Sequence, residues 1–138
     1  MSPSLLVYKE SGEPFRDVDL FAVVALLQHF VEQGLIDVRL SGLIATWKDA
    51  CEMNSGPGTI DFDFSPLDAG PGLAERLRAA LVWVGEEIAR QWASAIPSAL
   101  LNKYDSDDVT VRDFPVERMI ANLQRLGRLI GNAEPDQG

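Results

Sequence analysis

Leu73, Leu77, Ala80, Leu81, Val84, Ile88 and Trp92 form one continuous stripe at helical spacing, which predicts an amphipathic helix from about Leu73 to Trp92. A helix that long, apolar on one face, needs partner elements to cover it. The chain supplies them in kind. Leu20, Val23, Val24, Leu27, Phe30 and Val31 repeat the period behind Asp17, a helix-capping residue type, and Gly34 stops that helix after Gln33. Pro115 opens a last helix with Val116, Met119, Ile120, Leu123, Gly127 and Ile130 on one face, and Gly131 closes it. Between Ser41 and Met53, the spacing of Leu43, Ile44, Trp47, Ala50 and Cys51 favours a helix, although the Ser-Gly at its start also suits a hairpin.

The segments between these helices read as short strands. Leu5 to Tyr8 is one, followed by a Ser-Gly-Glu-Pro loop. Ile36, Val38 and Leu40 alternate with Asp37 and Arg39, the period-2 pattern of a half-buried strand. Ile60 to Phe64 lies between two glycine-proline clusters, Gly56-Pro57-Gly58 and Gly70-Pro71-Gly72. Pro97 ends the region after the long helix, and Val109 and Val111 alternate with Thr110 and Arg112 in a further strand. The polar residues 132–138, with Pro and Gly among them, predict a flexible tail. A length of 138 residues suits one domain, placed at residues 1–131. The expected fold is α+β, with a small mixed sheet of about four short strands covered by three to four helices.

The longest apolar run, Leu20 to Leu27, is far shorter than the roughly 20 residues that cross a bilayer, and SLLVY does not have the form of a signal peptide. A single cysteine, Cys51, excludes an intrachain disulfide, so the expected location is the cytoplasm. The formal charge of −9 is unevenly spread. Glu52, Asp61, Asp63 and Asp68 stand in a stretch without a base, and Asp105, Asp107, Asp108 and Asp113 are opposed only by Arg112. The last segment is balanced by Arg118, Arg125 and Arg128. Such a field repels nucleic acid and anionic membranes and attracts a basic partner.

The chain carries few parts for catalysis. Asp61 and Asp63 fall on one face of an extended segment. They either coordinate a divalent cation or simply face water while Ile60, Phe62 and Phe64 build the core, and the second reading is preferred because one-sided sheets alternate in this way. Arg112 could then meet one of them across paired strands. Tyr104 to Thr110 resembles a calcium loop only in part, since Asp105 and Asp107 fit while Val109 and Thr110 stand where a ligand and glycine belong. It reads as a solvated acidic loop. His29 is the one histidine, so no multi-imidazole metal site can form within a chain, and it reads as a surface residue. Cys51 reads as a buried small hydrophobe beside Trp47. No glycine-rich phosphate loop and no nucleophile elbow is present, and no cofactor is expected.

On the long helix Arg76, Trp83 and Arg90 recur seven apart and, with Ala79 and Val82, make a second flank. That flank either packs under a neighbouring segment or offers a contact surface to a partner or a second copy. In type the chain resembles bacterial immunity proteins, which are small, acidic, cytoplasmic and mixed α and β. The resemblance, one of type only, implies a binding protein that neutralises a basic protein, such as a toxin; the charge map and the second flank of the long helix place the expected contacts at Asp61, Asp63, Asp68, Asp105, Asp107, Asp108 and Trp83. The alternatives are a divalent-metal enzyme using Asp61 and Asp63 and a homo-oligomeric structural protein, a homodimer for example.

Overall fold

A computed structural model of the chain describes residues 3–53, 58–70, 72–103 and 112–132. The chain opens with a hairpin. Strand β1 (Ser4–Tyr8) pairs antiparallel with β2 (Ser11–Phe15), Ser4 opposite Phe15 and Tyr8 opposite Ser11. The Ser-Gly-Glu-Pro segment, expected as a loop, is thus the second strand. Lys9 takes a positive φ of 56° at the turn, and Pro14 is tolerated because a hairpin strand has an edge where no N–H is required. Ser4, Leu6 and Tyr8 point inward while Leu5 and Val7 face out.

Helix α1 (Asp17–Glu32) is buried over most of its circumference, through Leu20, Ala22 to Leu27 and Phe30, which makes it the central helix of the fold. It ends as Gly34 predicts. Gly34 has φ +73°, and the Leu35 N–H reaches back to the Phe30 carbonyl, satisfying an end group of the helix.

Helix α2 (Val38–Glu52) begins earlier than expected and takes in Val38 to Leu40 of the strand predicted at Ile36 to Leu40, which does not form. The physical reason is a cap. The Asp37 carboxylate accepts a hydrogen bond from the Arg39 N–H at 2.9 Å, and the Asp37 carbonyl accepts from Leu40 N–H. Leu40, Leu43, Ile44, Trp47 and Cys51 then lie on one buried face, and Val38, apolar but off that face, is 81% exposed. Cys51 is buried, as its place beside Trp47 indicated.

A short helix α3 (Pro66–Ala69) leads into α4 (Leu73–Gln91), the long helix of the predicted stripe. Gly72 precedes it at φ +76°, a conformation few side chains adopt. Two more short elements follow that periodicity is too brief to show. They are strand β3 (Ala95–Ile96) and helix α5 (Ser98–Asn102), whose first N–H donates to the Asp113 carboxylate at 3.0 Å. Strand β4 (Phe114–Pro115) pairs antiparallel with β3, and α6 (Val116–Asn132) closes the described chain.

The fold is α+β. Among the described residues the strands form two separate two-stranded antiparallel sheets rather than one mixed sheet, and six helices surround them. Helix α1 packs against α2, α5 and α6, while α4 lies along α6 and α6 also backs the hairpin. The expected strand at Val109 and Val111 and the flexible tail at 133–138 lie outside the described residues, and α6 itself runs through Gly131 to Asn132. No helix among them is long and apolar enough to cross a membrane.

Candidate functional site

The segment from Ile60 to Phe64 alternates as the sequence predicts but is not a strand of either sheet. Ile60, Phe62 and Phe64 are buried at 2–3% exposure, and Asp61 and Asp63 are exposed. Side chains hold this backbone where a ladder would otherwise do so. Phe62 stacks on Trp47 with ring centres 4.9 Å apart and planes within 5°. Phe64 meets Trp47 edge-on at 5.7 Å and Tyr8 at 5.5 Å. Such ring pairs contribute about 0.5–1.5 kcal/mol each beyond the burial of their area.

A polar hub fixes the start of the segment. The Ser4 hydroxyl donates to Asp17 Oδ1 at 2.6 Å and accepts from the Ile60 N–H at 3.0 Å. Asp17 Oδ2 accepts from the Gly58 N–H at 3.0 Å. Asp17, expected as the cap of α1, is instead its first residue, and its carboxylate ties the helix start to the segment. Ser4 is fully buried, so loss of either partner would strand a polar group away from water.

The far end is pinned as well. Asp63 Oδ1 accepts from the Ser65 N–H at 2.9 Å, closing a tight turn before α3. That hydrogen bond, with a further one from the Ser65 side chain, holds the Asp63 carboxyl below the usual range, so it stays ionised into mild acid. Asp68 accepts from the Tyr8 hydroxyl at 2.9 Å and has Lys9 Nζ at 3.8 Å, which partly offsets its charge. Asp61 and Asp63 have no such cation beside them among the described residues, and Arg112, though exposed, does not pair with either.

No family model, curated protein or solved structure matches this chain. Its chemistry is therefore read from its own geometry. Asp61, Asp63 and Asp68 share one short, clamped segment. Asp105, Asp107 and Asp108, the other expected acidic group, lie outside the described residues, as do Tyr104, Val109 and Thr110. The nearest described residue before that group is Lys103, which lies within electrostatic reach of His29 near the C-terminal end of α1. Gly58 is held by Asp17 at the opposite end of the same helix. Twelve residues of helix separate Asp17 from His29, about 18 Å at the usual rise of 1.5 Å per residue.

Among the described residues no three His, Cys, Asp or Glu side chains gather into a set that could hold a metal ion. His29 is half-buried at the protein surface, with Gln33 Nε2 3.0 Å from its Nε2. Its pKa is lowered by partial burial and by Lys103.

Trp83 is half-buried and meets Phe30 edge-on at 5.4 Å, which turns it toward α1. Its flanking arginines are engaged within the fold. Arg76 bonds the Asp37 carboxylate at 3.0 Å, and Arg90 bonds Glu87 one turn away. The features that sequence reasoning missed are Ser4, Asp17, Tyr8 and the Asp63 turn. One signal was available for Ser4, because period 2 places it on the inner face with Leu6 and Tyr8, where a polar residue needs a partner.

Proposed function

We propose that the chain is a non-catalytic cytoplasmic binding protein of the immunity or inhibitor type, which engages a basic protein such as a toxin through the acidic segment Asp61 to Asp68. The supporting observation is the pairing of a clamped backbone with uncompensated charge. Asp61 and Asp63 project from a segment fixed by Trp47, Phe62, Phe64 and the Ser4–Asp17 hub. Carboxylates held in this way lose little conformational freedom when a partner docks, so more of the interaction free energy is available for binding. The net charge of −9 adds a long-range attraction that accelerates encounter with a cationic surface. Such a role requires charge and shape and no nucleophile.

The test is affinity capture from the native organism with wild type and with an Asp61→Asn/Asp63→Asn variant. Asparagine can keep the Ser65 turn while removing the charge. The expected result is a basic protein retained by the wild type and strongly reduced on the variant. Equal retention on both, or no basic protein on either, overturns the proposal.

A further inference from the structure

The β1–β2 hairpin departs from the usual division of a one-sided sheet, apolar within and polar without. Ser4, Leu6, Tyr8 and Phe15 are buried on its inner face, whereas Leu5, Val7, Gly12 and Pro14 are exposed on its outer face and none of these four has a polar side chain. Leu5 is 56% exposed and Val7 48%. The register sets Leu5 opposite Pro14 and Val7 opposite Gly12, and Leu5 Cδ1 would lie 3.4 Å from a Cβ added at Gly12, so the four make one patch. Contiguous apolar residues outside a fold mark a contact surface, whereas scattered ones do not.

Negative charge borders that patch on the β1 side. The segment Ile60 to Phe64 is tied to both ends of β1 in the same chain direction, since the Ile60 N–H donates to Ser4 Oγ at 3.0 Å and the Phe64 ring meets the Tyr8 ring at 5.5 Å. Ile60, Phe62 and Phe64 turn inward with Ser4, Leu6 and Tyr8. Asp61 and Asp63 therefore face outward alongside Leu5 and Val7. Lys9, the base at the hairpin turn, is engaged by Asp68 at 3.8 Å rather than by either of these carboxylates.

We infer, resting on the binding function proposed above, that the outer face of the hairpin is the apolar half of the partner surface. It takes a segment of the basic protein whose apolar side chains cover Leu5 and Val7 while its Lys or Arg side chains meet Asp61 and Asp63. Charge complementarity selects this occupant. A second copy stacked on the same face would bring like carboxylates to the rim of the contact, which opposes association. The two halves act on different quantities, because the carboxylates speed encounter and the desolvation of Leu5 and Val7 slows release.

The experiment titrates the full chain with a short peptide alternating lysine and leucine, with a second in which serine replaces each leucine, and with a third in which glutamate replaces each lysine. Amide resonances of Val7, Gly12, Asp61 and Asp63 report location and affinity together. Saturable binding of the lysine-leucine peptide is expected, about tenfold tighter than the lysine-serine peptide, with all four signals shifting and no binding of the glutamate peptide. Leu5→Thr/Val7→Thr, an exposed change to a strand-compatible residue, should move the thermal midpoint little, weaken the lysine-leucine peptide about tenfold and leave the lysine-serine peptide unaffected. If this variant binds the lysine-leucine peptide as tightly as wild type, or if only the Asp61 and Asp63 signals shift, the inference is overturned while the acidic-segment reading stands. If Asp61→Asn/Asp63→Asn binds both lysine peptides as tightly as wild type, or if neither peptide binds the wild type, that reading and the inference fail together. Val7 and Gly12 signals that move with protein concentration alone overturn the inference, since a second copy would then cover the face.

Discussion

The segment Ile60 to Phe64 and helix α6 both bury apolar side chains on a regular period, but they are held by different means. In α6 each N–H past the first turn is satisfied within the helix, and packing against α4, α1 and the hairpin adds to an element already self-consistent. The Ile60 to Phe64 backbone belongs to neither sheet. It depends on a few distant side chains: Trp47 from α2, Tyr8 and Ser4 from β1, and Asp17 from α1. Periodic burial is thus the same observable in two mechanical regimes. A helix distributes its restraint over many weak contacts, whereas the acidic segment concentrates it in about four residues. Concentration suits a recognition surface, because it fixes the charges without covering them.

The largest expected effect breaks the clamp. Phe62→Ala removes the ring stacked on Trp47 and should destabilise the protein by about 3–5 kcal/mol, lowering the thermal midpoint by roughly 10 °C or more. Leu123→Ala, in the core face of α6, should cost about 2–5 kcal/mol. Hydrogen exchange separates the two regimes. In the Phe62→Ala protein the amides of Gly58 to Asp68 should open ahead of global unfolding, and in Leu123→Ala the loss should be global. Uniform loss in both would remove the distinction.

A smaller effect is expected at the hub. Asp17→Asn weakens the bonds to Ser4 and Gly58 and should cost about 1.5–3 kcal/mol, measured by urea unfolding. Ser4→Ala should cost a similar amount, and the double variant should cost less than the sum, because both remove one network.

Smaller still is the pH dependence of Asp63. The Ser65 N–H holds its folded-state pKa below the unfolded value, so its contribution is fully present above the ordinary carboxylate range and is lost as pH falls through the folded-state pKa. Stability curves of wild type and Asp63→Asn should therefore be offset above about pH 4 and converge below it. An offset that persists at pH 2 would contradict this assignment.

Helices were readable where the apolar stripe was long. The stripes of α1, α4 and α6 each span several turns, and α1 carries its own stop in Gly34. The strand expected at Ile36 to Leu40 failed because five residues satisfy period 2 and the first turn of a helix equally well, and the Asp37 cap decided between them. At Ile60 to Phe64 the inward and outward faces were legible, but the lack of a ladder was not. Alternation reports which side is buried and is silent on what the backbone bonds to. The Ser-Gly-Glu-Pro strand was hidden because proline and glycine signal a loop, although both are tolerated in a hairpin edge. The acidic residues of the site were visible as charge, whereas their clamp depends on contacts up to 60 residues apart in sequence.

Under the proposed function, Asp61 and Asp63 form the contact face through which a basic partner associates. The most direct measurement is the stopped-flow association rate of the partner retained by the wild-type chain, compared between wild type and Asp61→Asn/Asp63→Asn across ionic strengths. The expected result is a wild-type rate that falls steeply with salt, a variant slower by roughly tenfold at low salt, and convergence of the two at high salt. Rates that are equal in both proteins and insensitive to salt would contradict it.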